Sequence, residues 1–221
     1  AQNIQKGQMT LIDGEQQKSL INALNQSFSC AKRASGGSAA NSVIAFAAFG
    51  GSAFYACKVA NDNNGDFYLQ DLRAANVSAP QHAQVNEGVT GTCVVMVTPD
   101  SERTMHTFLG ITAELSPQEL DLTALSQAQY LYIEGYLATS TSARHAVSSA
   151  RALAQAQGIK TALTFSDPAM VQYARTGLVE MLAEGVDILF CNEHEALLWA
   201  NTDNLNQAIT VLHELSPLVI V

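Results

Sequence analysis

The chain has 221 residues, 48% of them hydrophobic and 14% charged, so it can bury a sizeable core and no stretch has the composition of disorder. A net charge of −9 argues against a nucleic-acid or anionic-membrane surface, and aromatics at 7% leave no stacking platform for single strands. Cys30, Cys57, Cys93 and Cys191 form no C-x-x-C and stand apart from any metal-spaced histidine. With no long apolar run and nothing that reads as a leader, the expected compartment is the cytoplasm with its thiols reduced.

Met9-Thr10-Leu11-Ile12 reads as a short strand. Asp13, with Gln16 three residues on, starts a helix whose apolar face carries Leu20, Ile21 and Leu24. Phe28 to Ala34 reads as a second extended piece. It leads into Gly36-Gly37-Ser38-Ala39-Ala40-Asn41, followed by an alanine-rich helix that ends at Gly50-Gly51. The first glycine pair permits backbone angles barred to other residues and close approach of a ligand at a helix N-terminus. Asn41, on the first turn, can donate and accept together, which suits a sugar hydroxyl. A Gly-Gly turn before a helix is also common as plain structure, and an asparagine there often only caps. The run is neither a Walker P-loop nor a G-x-G-x-x-G fingerprint.

Ser52 to Cys57 reads as a buried strand, and Asn61-Asp62-Asn63-Asn64-Gly65 as a turn in which Asp62 is a weak metal candidate. A helix follows from about Gly65 to Ala75. Residues 88–108 have a hairpin pattern, Gly91 to Val97 and Arg103 to Phe108 around a loop of about five residues. Taken alone, Arg103 is an exposed hairpin arginine paired with Asp100 or Glu102. Ser116-Pro117-Gln118-Glu119 reads as a helix start.

From there strands and helices alternate: Tyr130–Ile133, a helix over 140–157 stopped by Gly158, Ile159–Phe165, helical segments to Ala183, Asp187–Cys191, helices from Glu193 and over 205–215, then Leu218–Val221. This alternation implies a parallel sheet with right-handed crossovers, covered on both faces, with ligands at the carboxyl ends of its strands. Those ends hold Glu134-Gly135, Ser166-Asp167 and Asn192–Glu195. Glu134 is either an acceptor for a sugar hydroxyl or a solvated carboxylate. Asp167 before Pro168 reads as a cap. Asn192 with Glu195 is a capping box that by itself explains both residues. The five histidines share no metal spacing, which excludes a zinc site.

G-G-S-A-A-N before an Ala-rich helix ending F-G-G, followed in order by the N-x-x-E segment at Asn192–Glu195, resembles the PfkB (ribokinase-like) carbohydrate kinases, with most likeness to their adenosine kinase branch. The likeness covers nearly the whole chain. It implies a ribokinase-like α/β fold, a mostly parallel sheet flanked by helices with a small β lid. Residues 1–221 would form one incomplete domain, its lid strands within about 1–35 and 88–108.

The resemblance further implies an ATP- and Mg²⁺-dependent phosphotransferase acting on a hydroxyl of a sugar or nucleoside. Gly36, Gly37, Asn41 and Glu134 would bind that substrate. Arg103 would stabilise the transferring phosphate. Asn192 and Glu195 would serve the nucleotide and the Mg²⁺ shell, Glu195 through water. The family's D-T-x-G-A-G-D signature, which carries its general base and anion hole, does not occur in these residues, nor does its opening strand. The expectation is therefore a chain cut at both ends and inactive as it stands. Other expectations are a non-catalytic sugar- or nucleoside-binding protein on the same scaffold, and a fragment that forms a homodimer through its lid strands.

Overall fold

The computed structural model describes residues 6–30, 32–80 and 87–221. Residues 1–5, within the expected lid range, and Ala31, within the expected extended piece, lie outside the described residues. The first part of the chain runs β1 (Met9–Leu11), α1 (Gly14–Asn25), α2 (Ser38–Ala48), α3 (Asn63–Ala74), β2 (Thr90–Val97) and β3 (Arg103–Gly110). The strands form a sheet in the order β1-β3-β2, with β1 parallel and β2 antiparallel to β3. The expected hairpin is present, turning through residues 98–102.

Alternation along the strands decides what this sheet buries. Thr104 and His106 are buried on the face where Phe108 meets the start of α1. Met9, Leu11, Val95 and Val97 are exposed on the other. The predicted box starts α1: Asp13 accepts from the Gln16 N–H at 2.8 Å, and the Gln16 side chain accepts from the Asp13 N–H at 3.0 Å.

The second part contains α4 (Leu122–Ser126), β4 (Tyr130–Glu134), α5 (Thr141–Gln157), β5 (Lys160–Thr164), α6 (Pro168–Tyr173), α7 (Arg175–Leu182), β6 (Ile188–Phe190), α8 (Glu193–Ala200), α9 (Leu205–Leu212) and β7 (Leu218–Ile220). Its four strands are parallel and stand in chain order, β4-β5-β6-β7. Right-handed crossovers between strands in that order put every connecting helix on one face. Ile133, Leu163 and Leu189 point there and form the main core with Leu178, Met181 and Leu212. Gly158, at φ +69°, ends α5 as predicted. Among the described residues no helix is long and apolar enough to cross a membrane.

Four expectations need correction. Ser52–Cys57 forms no strand; its pairing is one bridge, Phe54 to Ser78, because no second strand runs alongside. Residues 28–34 likewise contain no described strand. Ser116 caps a single 3₁₀ turn, Pro117–Glu119, and the helix restarts at Asp121, which caps α4. The second face of the parallel sheet is only partly covered: Tyr130, Leu218 and Ile220 are 49%, 49% and 44% exposed.

Candidate functional site

The glycine pair is held from behind by α3. Asp71 accepts both the Ser35 N–H and the Ser35 hydroxyl at 2.7 Å, and these two bonds, hydroxyl first, draw its carboxyl below the usual range. Tyr68 donates to the Gly36 carbonyl at 3.0 Å. Gly37 then precedes α2 at φ +108°, a conformation that L side chains rarely adopt. A Cβ built on Gly36 or Gly37 meets no atom within 4 Å, so a ligand can lie against this backbone. No side chain caps α2, and its first N–H groups keep their donor capacity. Asn41 is exposed on that first turn.

Glu134 closes β4 and is 8% exposed. Ser166 donates to its Oε2 at 2.7 Å, and Tyr132, two residues back on the same strand face, donates to its Oε1 at 3.2 Å. The glycine loop and this carboxylate share a neighbourhood. Burial pushes the Tyr55 phenol up to about 12; Cys57 and, more weakly, Glu134 add to the shift, while the Tyr68 hydroxyl opposes it. Burial, then the Glu134 charge, pushes Tyr132 up to about 12, and Ser42 of α2 acts against them. Helix α2, α3 and the end of β4 therefore converge.

Along the strand ends the site is acidic. Asp167 caps α6, accepting from the Ala169 N–H at 2.7 Å. Asn192 and Glu195 form the predicted capping box: Glu195 N–H to Asn192 Oδ1 at 2.9 Å, Asn192 N–H to Glu195 Oε2 at 3.1 Å, and Asn192 Nδ2 to Glu195 Oε1 at 3.0 Å. Burial raises the Glu195 carboxyl, with a further push from Asp167, against the Asn192 N–H. Burial, then Asp167, Glu134 and Glu195, raises the Tyr136 phenol, so all three carboxylates act on one ring. Among the described residues no three His, Cys, Asp or Glu side chains are grouped to hold a metal directly.

Arg103 stands apart, exposed at the start of β3 opposite Val97. Of the carboxylate partners suggested by its neighbours, Asp100 is engaged elsewhere: it pairs with Lys6 and accepts from Thr98 at 2.6 Å. Asp62 is a cap rather than a metal ligand. It accepts from the Gly65 N–H at 2.8 Å and the Thr90 N–H at 2.9 Å. Its carboxyl lies low although burial alone would raise it, because the Thr90 and Gly65 N–H groups outweigh burial. Sequence reasoning passed over Tyr132, although its position two residues before Glu134 places it on the same strand face. Ser166 was placed at a strand end, but nothing local pointed to its bond with Glu134.

The model of the pfkB family carbohydrate kinases matches residues 10–221. Among solved structures, the adenosine kinase of Sinorhizobium meliloti superposes with a TM-score of 0.85 at 34% identity, over 98% of this chain and 65% of that one. The adenosine kinase of Trypanosoma brucei brucei shares the fold, with a TM-score of 0.83 at 21% identity over 98% of this chain and 68% of that one. The ribokinase of Mus musculus is 27% identical over 163 residues, which are 73% of this chain and 47% of that protein. The chain spans about half the length of the curated relatives it matches.

Proposed function

The chain belongs to the pfkB family of carbohydrate kinases, and on that footing we propose that the whole protein transfers a phosphoryl group from ATP to a hydroxyl of a ribose-containing small molecule, a nucleoside ahead of a free sugar. The preference for a nucleoside rests on the 34% identity to the Sinorhizobium meliloti adenosine kinase. The observation that carries the reading is the convergence of the unobstructed glycine backbone and the Glu134 carboxylate. In this reading residues 1–221 act as one α/β unit with its lid, in the cytoplasm, and engage neither nucleic acid nor membrane.

The donors at Gly36, Gly37 and the start of α2, with Asn41, take the sugar hydroxyls from one side. Glu134 accepts from the other. Arg103 reaches the transferring phosphate as the lid closes, where bidentate contact would steady its equatorial oxygens. A bound Mg²⁺ would offset the charge of the ATP phosphates. The residues present fit a hydrated ion better than a directly held one. Glu195 already shares both oxygens with Asn192, yet each oxygen keeps acceptor capacity for a water. The Asp167 charge adds to the cost of ionising Glu195, which a nearby cation would relieve.

The test is ATP consumption by the whole protein with adenosine, inosine, guanosine, ribose and fructose presented separately. Turnover is expected with adenosine. Asn41→Ala should raise KM on the order of 10–100-fold, the loss of one or two substrate hydrogen bonds. Neither turnover nor calorimetric binding with any of the five would overturn the reading. Binding without turnover would make the protein a nucleoside-binding module instead.

A further inference from the structure

Ser166 is one of the non-glycine residues held at positive φ, here +70°. The Asp167 N–H donates to the Phe165 carbonyl at 2.9 Å and closes a three-residue turn around it. Such a turn is rare and strained for an L residue, and strain of this kind persists where the surroundings impose it. Glycine would adopt this turn without strain and keep every backbone bond in it. What glycine could not supply is the hydroxyl.

That hydroxyl has a defined polarity. It accepts from the Gly135 N–H at 2.8 Å and stands 2.7 Å from Glu134 Oε2. With the amide on its acceptor side, its proton points at the carboxylate. The bond also requires close approach of two chain segments. A Cβ at Gly135 would lie 2.4 Å from the Phe165 carbonyl oxygen, so only glycine lets the end of β4 sit against this turn. Tyr132 holds the other carboxylate oxygen more loosely, at 3.2 Å. An ionised carboxylate offers about four acceptor positions, and these bonds leave about two unused.

We propose that Ser166 is a positioning residue: its strained turn places a hydroxyl that fixes Glu134 in the orientation that accepts a substrate hydroxyl. The proposal rests on the nucleoside-kinase reading and deepens it. Ser166 does not touch the substrate; it acts through Glu134. The rival explanation is that the serine merely staples the ends of β4 and β5.

Two substitutions separate these roles. Ser166→Ala removes the hydroxyl and keeps the strain. Ser166→Gly removes both, so the two variants differ in melting temperature, with glycine the higher. Calorimetry would measure binding of adenosine, 2′-deoxyadenosine and 3′-deoxyadenosine to each variant and to the unsubstituted chain. Positioning predicts that both variants lose about 10-fold in adenosine affinity, the scale of one hydrogen bond to a charged group. It also predicts that both lose discrimination against the deoxy analogue lacking the hydroxyl that Glu134 accepts. Affinity that follows melting temperature, with Ser166→Gly binding as the unsubstituted chain does, would overturn the proposal. So would unchanged discrimination in both variants. If the unsubstituted whole protein bound none of the five compounds presented for turnover, the nucleoside-kinase reading would fall and this one with it. If it bound and the variants matched it, only the role of Ser166 would fall.

Discussion

In the proposed function, Glu195 would serve the metal's surroundings at a cost to stability. An unfolded glutamate titrates near ~4.3. Burial, and then the Asp167 charge, lift the folded value above that. Between the two values the folded chain holds a proton that the unfolded chain has released. The contribution of Glu195 to stability therefore falls as pH rises through that window and stays low above it. Glu195→Gln keeps an amide that can cap α8 and removes the charge. Its melting temperature should exceed that of the unsubstituted protein at pH 8, with the gap closing below about pH 4. In the whole protein the same change should cost about 10–100-fold in Mg²⁺-dependent turnover, the usual scale for a residue that orients a metal's surroundings. A melting series across pH, run beside the ATP assay, checks both halves. Equal melting at pH 8 would remove the electrostatic penalty from the account.

Between elements, one ion pair fastens the segment ahead of α3 to the 3₁₀ turn at Pro117–Glu119. Lys58 Nζ lies 3.0 Å from Glu119 Oε1, with the two side chains only 13% and 3% exposed. Lys58 also donates to the Glu114 carbonyl at 3.2 Å, and the Ser116 N–H and hydroxyl hold Glu119 Oε2 at 2.7 and 2.8 Å. Removing one partner strands a buried charge. Lys58→Met should cost about 3 kcal/mol in urea denaturation, and adding Glu119→Leu should recover most of it. No recovery in the double variant would show that Lys58 acts through its carbonyl contact.

This is also the scale at which the sequence was readable, and the reason is locality. The boxes Asp13/Gln16 and Asn192/Glu195 and the stop at Gly158 each lie within a few residues of the ends they shape. Ser116 began its element correctly, but Leu120-Asp121 broke and restarted the chain. Ser52–Cys57 carried strand-like alternation without a partner. The Ser166 hydroxyl finds its partner in Glu134, 32 positions earlier, and no local pattern announces such a contact.

At the scale of the molecule, the two sheets are built from different distances along the chain. Each strand of β4-β5-β6-β7 lies beside the strand made just before it. In the three-stranded sheet, β1 pairs with β3 across the intervening α1, α2, α3 and β2, Met9 opposite Met105. Local contacts form early and are hard to lose separately, whereas a three-residue strand closing a long loop opens readily. Hydrogen exchange should find the slowest amides in central β5, where Leu163 is fully buried, and fast exchange in β1. Protection in β1 equal to that in β5 would mean that the three-stranded and the four-stranded sheet unfold as one unit.

The same parallel pairing has a consequence for the birth of the chain. Met9 and Leu11 are synthesised on the order of a hundred residues ahead of their partners in β3. At translation rates of about 5–20 residues per second, that is a delay of roughly 5–20 s. Throughout it β1 has no template in β3 to join, its apolar side chains open to chaperones. A strand made so far ahead of its partner is among the last to find its place.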